Sequence, residues 1–215
     1  MNVLNKLKIV ALFGILAGGS VFGQGLNEKR VDAQRAASPR SVGKISTENV
    51  NNYYVGYDFD LVARYIKNDD KFRDSVAQMT ILWDELYLQP EAVEIEALMR
   101  ITVRGQGTKE LQLSRLEKAK ASVEKRLTGE SRWYYDVGQS YSQMFTALDA
   151  ENMAGFKQEL TKMNQLSKAS PVGTPAEFVS ALSKIGSLIN HTEFGDDEIA
   201  TFKTQCDTID KLIAG

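Results

Sequence analysis

The sequence predicts an all-α protein, with six or seven helices in antiparallel hairpins, elongated or bundle-like. From about residue 58 onward, apolar side chains recur at every third or fourth position, the spacing of one helix face. Capping and stop residues divide that pattern into segments of a few turns each. No stretch alternates apolar and polar residues in the manner of a half-buried strand.

The elements follow in order. A short helix is expected over about Asp58 to Lys67. In the next, Phe72, Val76, Met79, Trp83 and Leu86 share a face, and Asn68, Asp69 and Asp70 supply caps and N-terminal negative charge. It stops before Gln89-Pro90. Pro90 suits the first turn of a third helix, whose dipole Glu91 and Glu94 complement. Leu98, Met99, Ile101 and Val103 are its apolar residues, and Gly105 stops it. Thr108 caps a helix to about Leu127, with Leu113, Leu116, Lys120, Val123 and Leu127 aligned, and Gly129 ends it. Ser131 starts another, carrying Trp133, Val137, Tyr141, Met144 and Leu148. Asp149 caps the next, with Met153, Phe156, Leu160 and Met163, and Pro171 and Gly173 close it. In Thr174-Pro175-Ala176-Glu177 the threonine is expected to cap, the proline to take the first helical position and the glutamate to reach back. Phe178, Leu182, Ile185 and Ile189 form that helix's stripe. Gly195 breaks the chain, Asp196 caps, and Ile199, Phe202, Cys206, Ile209 and Ile213 line one face.

A length of 215 residues fits one domain or two small ones. The first residues have the form of a secretory signal peptide over 1–23. Lys6 and Lys8 precede the apolar run Ile9 to Ala17, Gly18, Gly19 and Ser20 break it, and Val21-Phe22-Gly23 offers small residues for cleavage. The run is shorter than the roughly 20 residues that span a bilayer. No cysteine lies near residue 20 to take a lipid. The expected mature chain is therefore periplasmic or extracellular, with no integral membrane segment after cleavage. Cys206, the sole cysteine, precludes an internal disulfide and falls on an apolar stripe, so a buried thiol is expected.

Charge is divided unevenly. Residues 24–44 hold Lys29, Arg30, Arg35, Arg40 and Lys44 against Glu28 and Asp32, net +3. Residues 45–215 hold 19 basic and 26 acidic side chains, net −7. The first stretch has too few apolar residues to offset chain entropy and reads as a flexible basic arm, leaving 45–215 as the helical domain. An acidic body argues against a nucleic-acid partner, which requires a concentrated basic surface.

Chemistry-bearing constellations are sparse. His191, the only histidine, could join Glu193 at a metal, but a site needs three or four ligands. A helix-terminal histidine accounts for it better. A Cys206–His191 nucleophile pair is opposed by the apolar setting of the thiol. No G-x-S-x-G elbow occurs. Gly105-Gln106-Gly107-Thr108-Lys109 lacks the spacing and the preceding strand of a phosphate loop. Acids pair at Asp58/Asp60, Asp69/Asp70 and Asp196/Asp197/Glu198, each at an expected helix start, and no EF-hand loop is present. Neither cofactor nor metal is expected, and the reading is non-enzymatic.

Two aromatic groupings stand out: Tyr53, Tyr54, Tyr57 and Phe59 around Gly56, and the consecutive Trp133, Tyr134 and Tyr135. One helix face cannot take three consecutive rings, so at least one should be exposed or meet another segment. Tyrosine and tryptophan are enriched at protein interfaces. These seven aromatics, with Arg30, Arg35 and Arg40 of the arm, are the expected partner-binding residues.

With its leader, helical body and lack of catalytic motifs, the chain resembles the smaller flagellar-coiling proteins of spirochaetes. The stretches that carry the likeness are Tyr53 to Phe59 and Ser131-Arg132-Trp133-Tyr134-Tyr135. The resemblance implies a structural component of the sheath around a periplasmic flagellar filament, shaping its coiling and supporting motility. It also implies the flagellin core and other sheath proteins as partners. A periplasmic helical chaperone or client-binding module is the alternative, and a carboxylate-based hydrolase a third reading.

Overall fold

A computed structural model of the chain describes residues 45–67, 70–76, 79, 97–98, 100–101, 107–150, 152–191 and 194–214. Outside them lie the leader, the arm with Arg30, Arg35 and Arg40, and the expected helix residues Trp83, Leu86, Pro90, Met99 and Val103. Among the described residues the protein is all-α, without strands. Six helices have both ends described: α1 (Thr47–Arg64), α2 (Lys109–Arg126), α3 (Gly129–Asp149), α4 (Met153–Lys168), α5 (Ala176–Ser187) and α6 (Asp196–Ala214). Residues 70–76 are helical too. Single 3-10 turns, Tyr65–Lys67 and Leu188–Asn190, extend α1 and α5. No described helix is long and apolar enough to cross a membrane.

The chain divides into two compact units, one being Glu48–Ser142 and the other including Gln143–Gly215, so the division falls within α3. In the first unit α1 begins about ten residues earlier than expected. Residues 51–59 of this helix are all buried, Asn51, Asn52 and Asp58 included. A search for one apolar stripe misses a helix enclosed on more than one side. Thr108 caps α2 as expected, accepting the Leu111 N–H at 3.3 Å. Its buried face is Gln112, Leu116, Ala119 and Val123. Leu113, Lys120 and Leu127 are only half-buried, so the stripe is rotated from the expected one. Leu127 and Thr128 alone join α2 to α3, and Gly129, at φ +56°, opens α3 where a stop was expected.

In the second unit, α4 packs chiefly on α5 and α5 on α6. Phe156 meets Phe194 and Phe202 edge-on at 5.7 and 5.8 Å, and Phe202 meets Phe145 at 5.9 Å. The α6 stripe is buried as spaced, through Ile199, Phe202, Cys206, Ile209 and Ile213, and the α5 stripe through Phe178, Leu182 and Ile185, whereas the expected Ile189 falls in the 3-10 turn and is half-buried, Leu188 being buried in its place. Cys206 is buried and forms no disulfide. Two caps differ from expectation. Asn152, not Asp149, caps α4, accepting the Gly155 N–H at 3.0 Å. Pro175 stands at the α5 cap without a side-chain bond, and its carbonyl takes the Phe178 and Val179 N–H groups. The Thr174 hydroxyl is turned inward and does not cap.

Candidate functional site

Two glycines place the aromatic residues. A Cβ on Gly56 of α1 would run into the Tyr135 carbonyl of α3, and one on Gly138 of α3 into the Tyr53 carbonyl of α1. Each helix thus offers its bare glycine to the backbone one turn before the other's glycine. The local sequences correspond, Tyr53-Tyr54-Val55-Gly56 with Tyr135-Asp136-Val137-Gly138. Near the two N-termini, the Asn49 amide donates to Glu130 at 2.8 Å. Further along, the Ser142 hydroxyl donates to Asp60 at 2.8 Å, and Arg64 donates to the Ser142 carbonyl at 3.1 Å. Bonds in that order mean that α1 and α3 run parallel.

The rings fill the space around this crossing. Tyr53 meets Tyr54 edge-on at 5.7 Å and Tyr141 at 6.1 Å. Tyr57 lies 6.4 Å from Tyr141, and Phe59 edge-on to Tyr135 at 6.4 Å. Trp133 and Tyr134 are perpendicular at 4.9 Å. Edge-on and tilted pairs are the favoured aromatic geometries. The seven aromatics expected to bind a partner, Tyr53, Tyr54, Tyr57, Phe59, Trp133, Tyr134 and Tyr135, are at most 7% exposed. Of the two outcomes expected for the consecutive rings, exposure or contact with another segment, the second holds, since Tyr135 meets Phe59 of α1. The consecutive rings of 133–135 are all covered because no residue of α3 from 133 to 148 is exposed. Asp136, Gln139, Gln143 and Thr146 form its one half-buried seam. Sequence reasoning missed the crossing, whose only trace is the repeated tyrosine–valine–glycine spacing.

A polar cluster closes the α2–α3 hairpin. Arg132 pairs with Asp136 at 2.8 Å, donates to the Glu124 carbonyl at 3.1 Å and lies 5.5 Å over the Tyr135 ring. The Tyr135 hydroxyl donates to the Glu124 carboxylate at 3.1 Å. These bonds join the last turns of α2 to the first turns of α3 across the two-residue connection. Burial, then the negative charge of Glu124, pushes the Tyr135 phenol far above its ordinary range. Burial also raises Asp136, against the opposing pull of Arg132. Tyr135 is therefore a fixed donor at neutral pH rather than a proton-transfer group.

The other sequence candidates are dispersed. Asp58 is buried, while Asp60 takes the Ser142 hydroxyl and lies 3.7 Å from Arg64. Asp70 is exposed and pairs with Arg73 at 3.1 Å. Asp196 and Asp197 are exposed in the first turn of α6. His191 faces Glu198, with Nδ1 3.0 Å from Oε1, while Glu193, Asp69, Gly105 and Gln106 lie outside the described residues. Among the described residues no three histidine, cysteine or acidic side chains gather to hold a metal ion.

Among the described residues, fold and site thus define an all-α protein whose first unit holds an aromatic, glycine-mediated crossing of α1 and α3. No protein-family model, characterised protein or solved structure matches the chain.

Proposed function

We propose that the chain is a non-enzymatic, exported assembly protein. In its specific form the proposal is a sheath component of a periplasmic flagellar filament, shaping its coiling and supporting motility. The observation that carries this reading is the charge division: an arm of net +3 over residues 24–44 precedes a body of net −7. Opposite charge on two parts of one chain favours docking of the arm of one copy, through Arg30, Arg35 and Arg40, on the acidic body of a neighbour. The signal-like residues 1–23 support export. The buried aromatics now act within each subunit, as a stiff core rather than a contact surface. The large hydrophobic residues exposed among the described ones are Leu111 and Val172 alone, which favours a polar, charge-guided contact over an apolar client groove.

Cross-linking in the native cell, followed by fractionation, tests the reading. The expected result is a chain cross-linked to copies of itself and to filament core and sheath proteins. Recovery solely as an uncross-linked soluble species would refute it.

A further inference from the structure

We propose that residues 45–126 and 127–214 are two copies of one four-helix module, and that the facing surfaces of α1 and α3 are one self-recognising surface whose further partner is a second copy of this chain. The helices repeat in order. α1 with its 3-10 turn, from Thr47 to Lys67, returns 82 residues later as α3, Gly129–Asp149, over the same length. Phe72, Val76 and Met79 return 84 residues later as Phe156, Leu160 and Met163, all six buried, and Ala97, Leu98 and Ile101 as Ala181, Leu182 and Ile185. The buried Gln112, Leu116, Ala119 and Val123 of α2 return 90 residues later as Phe202, Cys206, Ile209 and Ile213 of α6. The spacing is constant within each set and grows only between sets, as insertions in connections make it do.

The α1–α3 contacts obey the same relation. In a twofold interface, a contact of residue i with residue j is matched by one of j with i. Here Gly56 faces the Tyr135 carbonyl, and Gly138 the Tyr53 carbonyl. Phe59 meets Tyr135, and its counterpart Tyr141 meets Tyr53, at 6.4 and 6.1 Å. Asn49 donates to Glu130, and its counterpart Ser131 to Glu48, at 2.8 and 3.5 Å. Asp60 accepts from Ser142, its own counterpart, as residues on a twofold axis do. A surface that recognises its copy within one chain also fits the copy carried by a second chain. The boundary between the modules allows this exchange. Leu127 is extended, and Gly129 stands at φ +56° with nothing within 4 Å of its Cβ position. Helical values at 127–129 would run α2 into α3 and part the modules. Two such chains remake the crossing and the Glu124–Arg132–Tyr135 cluster between them, so that only the connection changes. The arm of residues 24–44 takes no part, so the exchange and the assembly reading can fail separately.

The test uses full-length chains with Cys206→Ser, one set carrying Asp60→Cys and the other Ser142→Cys. Each set alone, and the two mixed, are refolded from urea at high concentration and oxidised. A disulfide-linked dimer should form in the mixture and not in either set alone, since only an exchanged dimer sets position 60 of one chain against position 142 of the other. In chains without these cysteine substitutions, Gly129→Ala should raise the dimer association constant roughly tenfold or more over wild type, because alanine disfavours the left-handed connection in each chain. Sedimentation of the refolded chains measures that change, and it decides the matter where a cysteine variant loses its helical content. Linked dimer no more abundant in the mixture than in the separate sets, or the same dimer fraction for Gly129→Ala and wild type at every concentration, would overturn the exchange.

Discussion

At Gly56 and Gly138 a single methyl group decides whether two helices can touch. Both positions face backbone oxygen, which cannot swing aside as a side chain can. In the middle of an exposed helix, glycine to alanine is stabilising by roughly 1 kcal/mol. Here the sign reverses. Gly56→Ala or Gly138→Ala should each lower stability by about 1–3 kcal/mol through overpacking. Once one methyl has forced α1 from α3, the second meets a gap already open, so the double variant should cost less than the sum. Urea unfolding of the two single variants and the double variant checks both magnitude and non-additivity. Additive losses would mean that the glycines act separately. Gly129 offers a contrast, since nothing lies within 4 Å of its Cβ position and its requirement is only the left-handed backbone at φ +56°.

At the scale of the helix, end chemistry is separable from packing. Asn152 caps α4 from an exposed position, so Asn152→Ala should cost about 1 kcal/mol without disturbing the core, measurable as a lower urea midpoint at unchanged slope. Glu198 works through charge. Its backbone bond to Gly195, first of several causes, holds the carboxyl below its ordinary value. A lowered folded value means that its contribution is present above the ordinary carboxylate range and is lost as the pH falls through the folded one. Glu198→Gln should therefore flatten part of the acid limb of the stability profile below about pH 4.5, and an unchanged limb would contradict the assignment. These ends also mark what was legible in the sequence. Thr108 and the α5 and α6 stripes were readable because each buries one face, the case a 3.6-residue period describes. The start of α1 and the covering of Trp133, Tyr134 and Tyr135 were not, because α1 and α3 are enclosed on several sides and periodicity fades when every face is buried. Local residue identity also misplaced the α4 cap: Asp149 and Asn152 are both good caps, and the bonding geometry selects between them.

For the whole molecule, the aromatic candidates and the arginine candidates now have different roles. The rings pack between α1 and α3 within one chain, so truncating them would test folding before anything else. The proposed arm contact between copies rests on charge, and charge leaves a signature that packing does not. If Arg30, Arg35 and Arg40 dock on the acidic body of a neighbour, association should weaken as salt shortens the Debye length from about 10 Å at 0.1 M to about 3 Å at 1 M. Deleting residues 24–44 should leave helical content and the urea midpoint unchanged, because that stretch holds too few apolar residues to offset chain entropy. The deletion should weaken association at low salt and remove most of its salt dependence, which sedimentation of the two forms across a salt series would measure. A chain lacking the arm that associates as well as the intact one, with the same response to salt, would mean that the arm takes no part and that the contact lies on the helical body itself.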